Sequence, residues 1–166
     1  ATTSKSSNNY KVVGTRPVRH DGVDKVTGRA KYGADVHMVN MLHGRILRSP
    51  HAHARIKSID TSKAEKLEGV VKIITAKDLP QAPDEMVSLG EGPMVNLQFL
   101  TMNILAQNKA LYKGHAIVAV AAESAHIADE ALDLIDIEYE VLEPVLSAPQ
   151  GMAEGSPILH EKMTTV

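Results

Sequence analysis

No cysteine occurs among the 166 residues of the sequence. Disulfide bonds and cysteine-ligated zinc or iron–sulfur sites are therefore excluded within it. Aromatic residues are also scarce, with four Tyr, one Phe and no Trp. The core must accordingly be built from aliphatic side chains and Met, and the chain offers few rings on which nucleic-acid bases could stack.

The sequence also lacks a strong charge of one sign and a long apolar run. The net charge of −2 does not favour binding to nucleic acid or to an anionic membrane. The longest apolar run, residues 116–122, is far shorter than a membrane span. The first eleven residues are polar and lack the apolar stretch of a signal peptide. We therefore expect a cytoplasmic protein.

The length suits one globular domain, and an apolar content of 43% suits an ordinary core. The order of strand-like and helix-like patterns predicts an α/β (α+β) fold with a mixed β-sheet. Two strand–helix–strand units, residues 54–75 and 116–141, form its framework. A right-handed crossover is expected in each unit if its strands are parallel.

The first unit follows a strand predicted at residues 42–47. It begins with a strand at residues 55–60 and ends with a β-branched strand at residues 70–75. Ser62 and Glu65 have the spacing of a capping box, and Gly69 stands where a helix would stop, so a two-turn helix is predicted between them.

The second unit begins with the apolar run at residues 116–122, which is typical of a strand covered on both faces. Ser124 can cap a helix over residues 125–133. A strand follows, with Ile135, Ile137, Tyr139 and Val141 predicted inward and three acidic residues outward. Between the units, residues 81–107 show no clear period, and residues 100–105 are a candidate strand.

The candidate chemistry is sparse. His51 and His53 are two residues apart, so on a strand both rings would share a face and could bind one metal ion; packing or a polar interface is the alternative. Gly114 and His115 precede the apolar strand, where His115 as a turn residue could face a ligand; a plain loop histidine is the alternative. The three carboxylates of residues 136, 138 and 140 are expected to form a solvated face. No complete active site is found.

Four segments together resemble the N-terminal hammerhead domain in the large subunit of the molybdenum hydroxylases, the xanthine dehydrogenase/aldehyde oxidase family. They are residues 13–35 with KVTGRAKYGAD, residues 42–60 with LHGRILRSPHAHARIKSID, residues 64–79 with AEKLEGVVKIITAKDL, and residues 105–145 with YKGHAIVAVAAESAH. The sequence departs from the family at His115, where Gln is frequent, and at Glu68, where Pro is usual.

The resemblance implies a tail at residues 1–11, a hammerhead domain at residues 12–148 and a linker at residues 149–166 toward molybdopterin-binding domains. The complete enzyme would oxidise or hydroxylate an aldehyde, a purine or an N-heterocycle with molybdopterin (molybdenum), 2Fe–2S clusters and often FAD. None of these cofactors would bind to this chain, and the family's catalytic residues would lie beyond it. Expected partners are the molybdopterin-binding chain or domains, the iron–sulfur subunit and an FAD subunit.

The leading hypothesis is therefore a non-catalytic domain or small subunit that packs against the iron–sulfur subunit and walls the substrate route. A second is a stand-alone scaffold of the same fold, with the Met-rich residues 86–105 as a partner surface. A third is a small metal enzyme that uses His51 and His53. His51, His53, Gly114 and His115 are the interface candidates, and no catalytic, cofactor-binding or metal-binding residue is assigned.

Overall fold

The computed structural model describes residues 11–88, 90, 92 and 94–160, which form parts of two compact units, residues 1–39 and 40–166. In the first unit, helix α1 (Gly22–Val26) and a 3₁₀ turn (Gly33–Asp35) are the regular elements among residues 11–39. None of these described residues is buried. Apart from Lys11, the tail expected at residues 1–11 lies outside the described residues, as do residues 161–166 of the expected linker.

The second unit contains the sheets and the core. Its strands are β1 (His43–Arg48), β2 (Ala54–Asp60), β3 (Val70–Thr75), β4 (Met86–Ser88), β5 (Met94–Asn96), β6 (Lys109–Ala110), β7 (Ala116–Ala122) and β8 (Asp136–Val141). Its α-helices are α2 (Leu97–Ile104), α3 (Ala125–Asp133) and α4 (Ala148–Met152). Two 3₁₀ turns, Ala64–Lys66 and Ala76–Asp78, flank β3.

The strands form two three-stranded sheets and a hairpin. The first sheet has the order β1-β7-β3, the second has the order β6-β2-β8, and β4 pairs with β5. The α/β class is confirmed, but every strand pair among the described residues is antiparallel, so small antiparallel sheets replace the mixed sheet that was expected. Each strand–helix–strand unit gives one strand to each large sheet, so neither unit is a parallel crossover.

Strand β7 is the centre of the core because it lies between β1 and β3. Ile117, Val118 and Val120 on β7 are almost fully buried. Helix α3 packs over this sheet through Ala128 and Ala131, which are also fully buried. Ser124 caps α3 as predicted, since its hydroxyl oxygen accepts a hydrogen bond from the Ile127 N–H over 3.2 Å.

Three local predictions are wrong. The helix predicted after Ser62 is only a 3₁₀ turn, because the segment is too short to sustain an α-helix; the Glu65 carboxylate accepts from the Thr61 hydroxyl over 2.7 Å, and not from Ser62. Residues 100–105 do not form a strand but lie in and just after helix α2, which Asn96 begins by accepting a hydrogen bond from the Gln98 N–H. Val141, predicted inward, is 62% exposed because β8 ends there.

Candidate functional site

Two connections between the large sheets lie side by side and contain all four interface candidates. Residues 49–53 link β1 to β2, and residues 111–115 link β6 to β7; we call them the loop pair. The Ser49 N–H donates to the His115 carbonyl, and the Gly114 N–H donates to the Ser49 carbonyl, both over 2.9 Å. The structure therefore brings together segments that are about sixty residues apart in the sequence, which the sequence pattern did not indicate.

His115 is fully buried inside the loop pair. Its Nδ1 accepts a hydrogen bond from the Leu111 N–H over 3.2 Å, and its ring stacks on Tyr112 with centroids 4.5 Å apart. Burial lowers the pKa of His115, and the Met102 backbone opposes this effect only in part. Nε2 has no partner in hydrogen-bonding geometry among the described residues. The ring is thus a neutral structural group that holds the turn.

Gly114 gives the turn its shape. Its φ is +89°, in the left-handed region that glycine adopts at no steric cost. Its carbonyl accepts a hydrogen bond from Arg48 Nη1 over 2.9 Å. Gly114 therefore fastens the end of β1 to the start of β7 through both of its backbone polar groups.

His51 and His53 do not form a metal site with each other on a strand, because β2 begins only at Ala54. The His51 ring packs edge-on against Tyr139, with centroids 5.0 Å apart. His53 is 4% exposed, and its Nδ1 lies 2.8 Å from the Glu143 carbonyl. In the part of the chain that the structure describes, no group of three His, Cys, Asp or Glu side chains could hold a metal ion.

Ser49 is the site residue that sequence reasoning missed. It is 2% exposed, and its hydroxyl donates to the His51 carbonyl and accepts from the His51 N–H, over 2.9 and 3.1 Å. Pro50 next to it did indicate a bend, but a lone serine carries no signal that it will be buried. The role of the four candidates as an interface stays a prediction.

The acidic row on β8 faces basic side chains and not only solvent. Asp136 pairs with Lys63 (2.8 Å), Glu138 with Lys57 (3.8 Å), and Glu140 with Arg55 (3.5 Å). All six side chains are about half exposed or more. The row is thus a surface ladder of weak ion pairs.

Two open clefts lie among the described residues of the second unit. The larger, of about 620 Å³, is lined by residues 56–59, 61, 75–77, 81 and 106–108. The smaller, of about 310 Å³, lies beside it, shares residues 107 and 108, and includes Phe99 and His160, whose rings meet edge to face. Among the described residues, no acidic side chain lines either cleft, so neither presents a set of carboxylate ligands.

Fold and site together define an α/β domain whose conspicuous histidines hold loops in place. Residues 27–143 match the family described as the a/b hammerhead domain of aldehyde oxidase and xanthine dehydrogenase. This match covers more than half of the sequence, and the chain belongs to that family.

Several relatives share this domain. The chain is 40% identical over 144 residues to a probable xanthine dehydrogenase subunit of Bacillus subtilis, covering 87% of this chain and 18% of that protein. It is 34% identical to the nicotinate dehydrogenase large molybdopterin subunit of Eubacterium barkeri, covering 91% of this chain and 33% of that protein. The chain therefore spans about a third or less of the length of these relatives.

Solved structures show the same fold. The aldehyde oxidoreductase of Desulfovibrio desulfuricans superposes with a TM-score of 0.71 at 33% identity, over 86% of this chain and 16% of that one. The α/β hammerhead fold is thereby confirmed. No helix among the described residues is long and apolar enough to cross a membrane.

Proposed function

We propose that this chain is a non-catalytic domain or small subunit of a molybdenum hydroxylase of the aldehyde/xanthine type. The observation that carries the proposal is the family match over residues 27–143, in a chain that corresponds to 18% of the Bacillus relative. The complete enzyme would oxidise or hydroxylate an aldehyde, a purine or an N-heterocycle in the cytoplasm. Molybdopterin, 2Fe–2S clusters and FAD would be bound by its other domains or subunits.

The domain's own contribution is architectural. Its buried polar side chains, Ser49, His53 and His115, make hydrogen bonds to the backbone of the loop pair and of residue 143. Such contacts hold the loops in a fixed conformation but do not activate a substrate. The domain would therefore pack against the iron–sulfur subunit and line the route by which substrate reaches the molybdopterin-binding chain.

The exposed apolar side chains of the first unit support the proposal that a partner chain binds there. Val18 and Val26 are both 85% exposed, and Val39 is 92% exposed. No residue of the described part of that unit is buried, so residues 11–39 build no core of their own. Apolar surface of this kind gains free energy when a partner covers it.

The test is purification of the affinity-tagged chain both alone and from cells that make the other hydroxylase chains. Alone, it is expected to contain no stoichiometric molybdenum and to oxidise neither an aldehyde nor a purine. With the other chains, it is expected to bring down a molybdopterin-binding chain and a 2Fe–2S chain. Stoichiometric molybdenum in the chain alone would overturn the proposal, and recovery without either partner would favour the stand-alone scaffold.

A pair of surface variants shows whether the first unit contacts the partner chains. Val18→Glu places a charge on apolar surface that a partner would cover, so recovery of the partner chains should fall. Val141→Glu is the matched control, because Val141 is a 62% exposed valine at the end of β8. Equal recovery for both variants would show that residues 11–39 are not part of the contact.

A further inference from the structure

The larger cleft lies at a fork in the sheet structure, and we call it the fork cleft. Strand β6 pairs with β2 only through Ala110 with Ala54 and Lys109 with Arg55. One more hydrogen bond follows, from the Ile56 N–H to the Asn108 carbonyl over 2.8 Å. The chain just before Asn108 instead contacts the other sheet, since the residue 106 N–H donates to the residue 116 carbonyl over 2.7 Å. The fork cleft fills the gap that this divergence opens.

One wall of the fork cleft is a strand edge. Beyond Ile56, β2 continues to Asp60 with β8 on its other side. No strand of the described chain pairs with residues 57–60 on the cleft side. The backbone N–H and C=O groups of such an edge can pair with an added strand. Four residues of β-strand extend over about 13 Å, which is enough to hold a short extended segment.

The opposite wall is the end of β3, which is itself the edge strand of the first sheet. Thr75 is held there because its N–H and hydroxyl both donate to the Asp78 carboxylate, over 2.8 and 2.9 Å. Gln81 donates to the Ala76 carbonyl, and Gln107 donates to the Gln81 side chain, over 3.2 and 3.0 Å. The cleft is therefore shaped in advance, which lowers the entropy cost of binding a segment.

The charged side chains in the lining of the fork cleft are both basic, whereas Asp60 at the end of the edge and Asp78 beside Thr75 are acidic neighbours outside that lining. Lys57 and Lys77 line the cleft, and no Asp or Glu is among the described residues that do so. Lys57 has only a long contact of 3.8 Å with Glu138, and both side chains are about half exposed or more, so it can still pair with another carboxylate. The cleft thus complements an acidic segment.

The strand edge also carries a feature that discourages pairing with a second copy of this chain. The register of β2 against β8 shifts between Ile56 and Ser58, at Lys57. Irregularities and lysines on edge strands are devices that prevent indiscriminate edge-to-edge association. An irregular edge that carries a lysine favours a partner strand whose backbone follows the irregularity and whose side chains are acidic.

We propose that the fork cleft receives an extended, acidic segment of a partner chain, which adds as a strand to the edge of β2 and pairs its carboxylates with Lys57 and Lys77. This inference rests on the proposed function, because the segment belongs to a chain of the hydroxylase complex. The fork cleft is a contact surface of the second unit and is separate in sequence from the exposed valines of residues 11–39, which belong to the first unit.

The test is hydrogen exchange, measured by mass spectrometry on the chain alone and in the purified complex. Those amides of residues 57–60 that face the cleft, and not those bonded to β8, are expected to exchange at least about tenfold more slowly in the complex, because an added strand protects them. A complex that forms without slowing these amides would overturn the inference and leave the proposed function standing. If no complex forms, the proposed function fails and the inference fails with it.

Charge variants test the acidic character of the segment. Replacing both lysines, Lys57→Gln with Lys77→Gln, is expected to weaken the complex by about tenfold, because desolvated ion pairs are lost. Lys66→Gln is the matched control, since Lys66 is an exposed lysine outside the cleft lining. Unchanged affinity of the double variant, with its thermal unfolding also unchanged, would overturn the proposed pairing.

Discussion

His115 Nδ1 accepts a hydrogen bond from the Leu111 backbone N–H across the turn that leads into β7, over 3.2 Å. Because a backbone N–H can only donate, this bond requires Nδ1 to be unprotonated and places the ring proton on Nε2. The neutral ring is thus part of the turn itself. The same residue also holds the neighbouring loop, since its carbonyl accepts from the Ser49 N–H.

Replacing this ring should destabilise the fold. His115→Ala removes a fully buried side chain and leaves the Leu111 N–H without its acceptor. We expect the free energy of unfolding to fall by about 2–4 kcal/mol, from lost packing and an unpaired donor. Urea denaturation measures this loss. His126→Ala, at an exposed position of α3, is the control and should change stability little; equal losses would contradict a structural role for His115.

The stability of the fold should depend on pH through His115. Burial holds the pKa of His115 below the value of about 6.5 that an unfolded chain has. As pH falls through about 6.5, the unfolded chain takes up a proton that the folded chain does not, so the free energy of unfolding decreases. The free energy of unfolding stops decreasing below the pKa of His115 in the folded chain, where both states are protonated. Above about pH 7, where both states are neutral, the contribution of His115 to stability is complete.

The measurement is urea denaturation between about pH 5 and 7.5 for the natural sequence and for His115→Gln, which cannot titrate. The difference in stability between the two should narrow as pH falls. Asp60 and Asp78 do not interfere, because hydrogen bonds from Ser62 and Thr75 hold the pKa of each carboxyl below its ordinary 3.8. A difference that is constant over this range would rule out His115 as the titrating group.

A side chain at Gly69 should destabilise the fold. Its φ is +87°, and a Cβ there would lie 2.7 Å from Ile127 Cδ1 on α3. Gly69→Ala is expected to cost about 1–2 kcal/mol for the left-handed backbone, with a smaller addition because the terminal methyl group of Ile127 must shift. Thermal or urea unfolding measures the total loss of stability that Gly69→Ala causes.

Two further variants separate the causes at Gly69. Gly155→Ala has a similar φ of +78° with no atom within 4 Å of the added Cβ, so it should show the backbone cost without the overlap. Ile127→Val removes the overlapping methyl group, so Gly69→Ala should cost less in that background. An identical cost in both backgrounds would show that the contact with Ile127 relaxes freely.

The ion pair between Arg55 and Glu140 should be weak. The two side chains are 54% and 47% exposed, and their charged atoms are 3.5 Å apart. A double-mutant cycle with Arg55→Ala and Glu140→Ala should give a coupling energy of about 0.2–1 kcal/mol at low salt. The coupling should shrink in about 1 M salt, where charges are screened. A larger, salt-independent coupling would mean that the pair is shielded from solvent.

Local sequence patterns predicted the elements whose signals are strong and self-contained. The β-branched run of β3, the apolar run of β7 and the Ser124 cap of α3 gave bounds that match the structure. The helix predicted after Ser62 was wrong because the segment is too short to sustain an α-helix, and Glu65 bonds to Thr61 and not to Ser62.

The partners of the strands could not be predicted, because pairing depends on contacts between distant residues. Nothing in the pattern of β2 states that it pairs with β8 and not with β3. The loop pair was missed for the same reason: Pro50 and Gly114 each predict a bend, but not that Ser49 joins the two bends. The sequence indicated the four interface candidates separately, and only the fold shows that they all lie in the loop pair.

The order of the strands also governs how the chain can fold during synthesis. Strands β1, β2 and β3 come first, yet none pairs with another; His43 pairs with Ala122, and Ala54 pairs with Val141. A ribosome that has made only the first half of this sequence has therefore produced three strands without neighbours. Their edges remain open to aggregation until the second half emerges, so we expect early folding of this chain to rely on chaperones and to be slow.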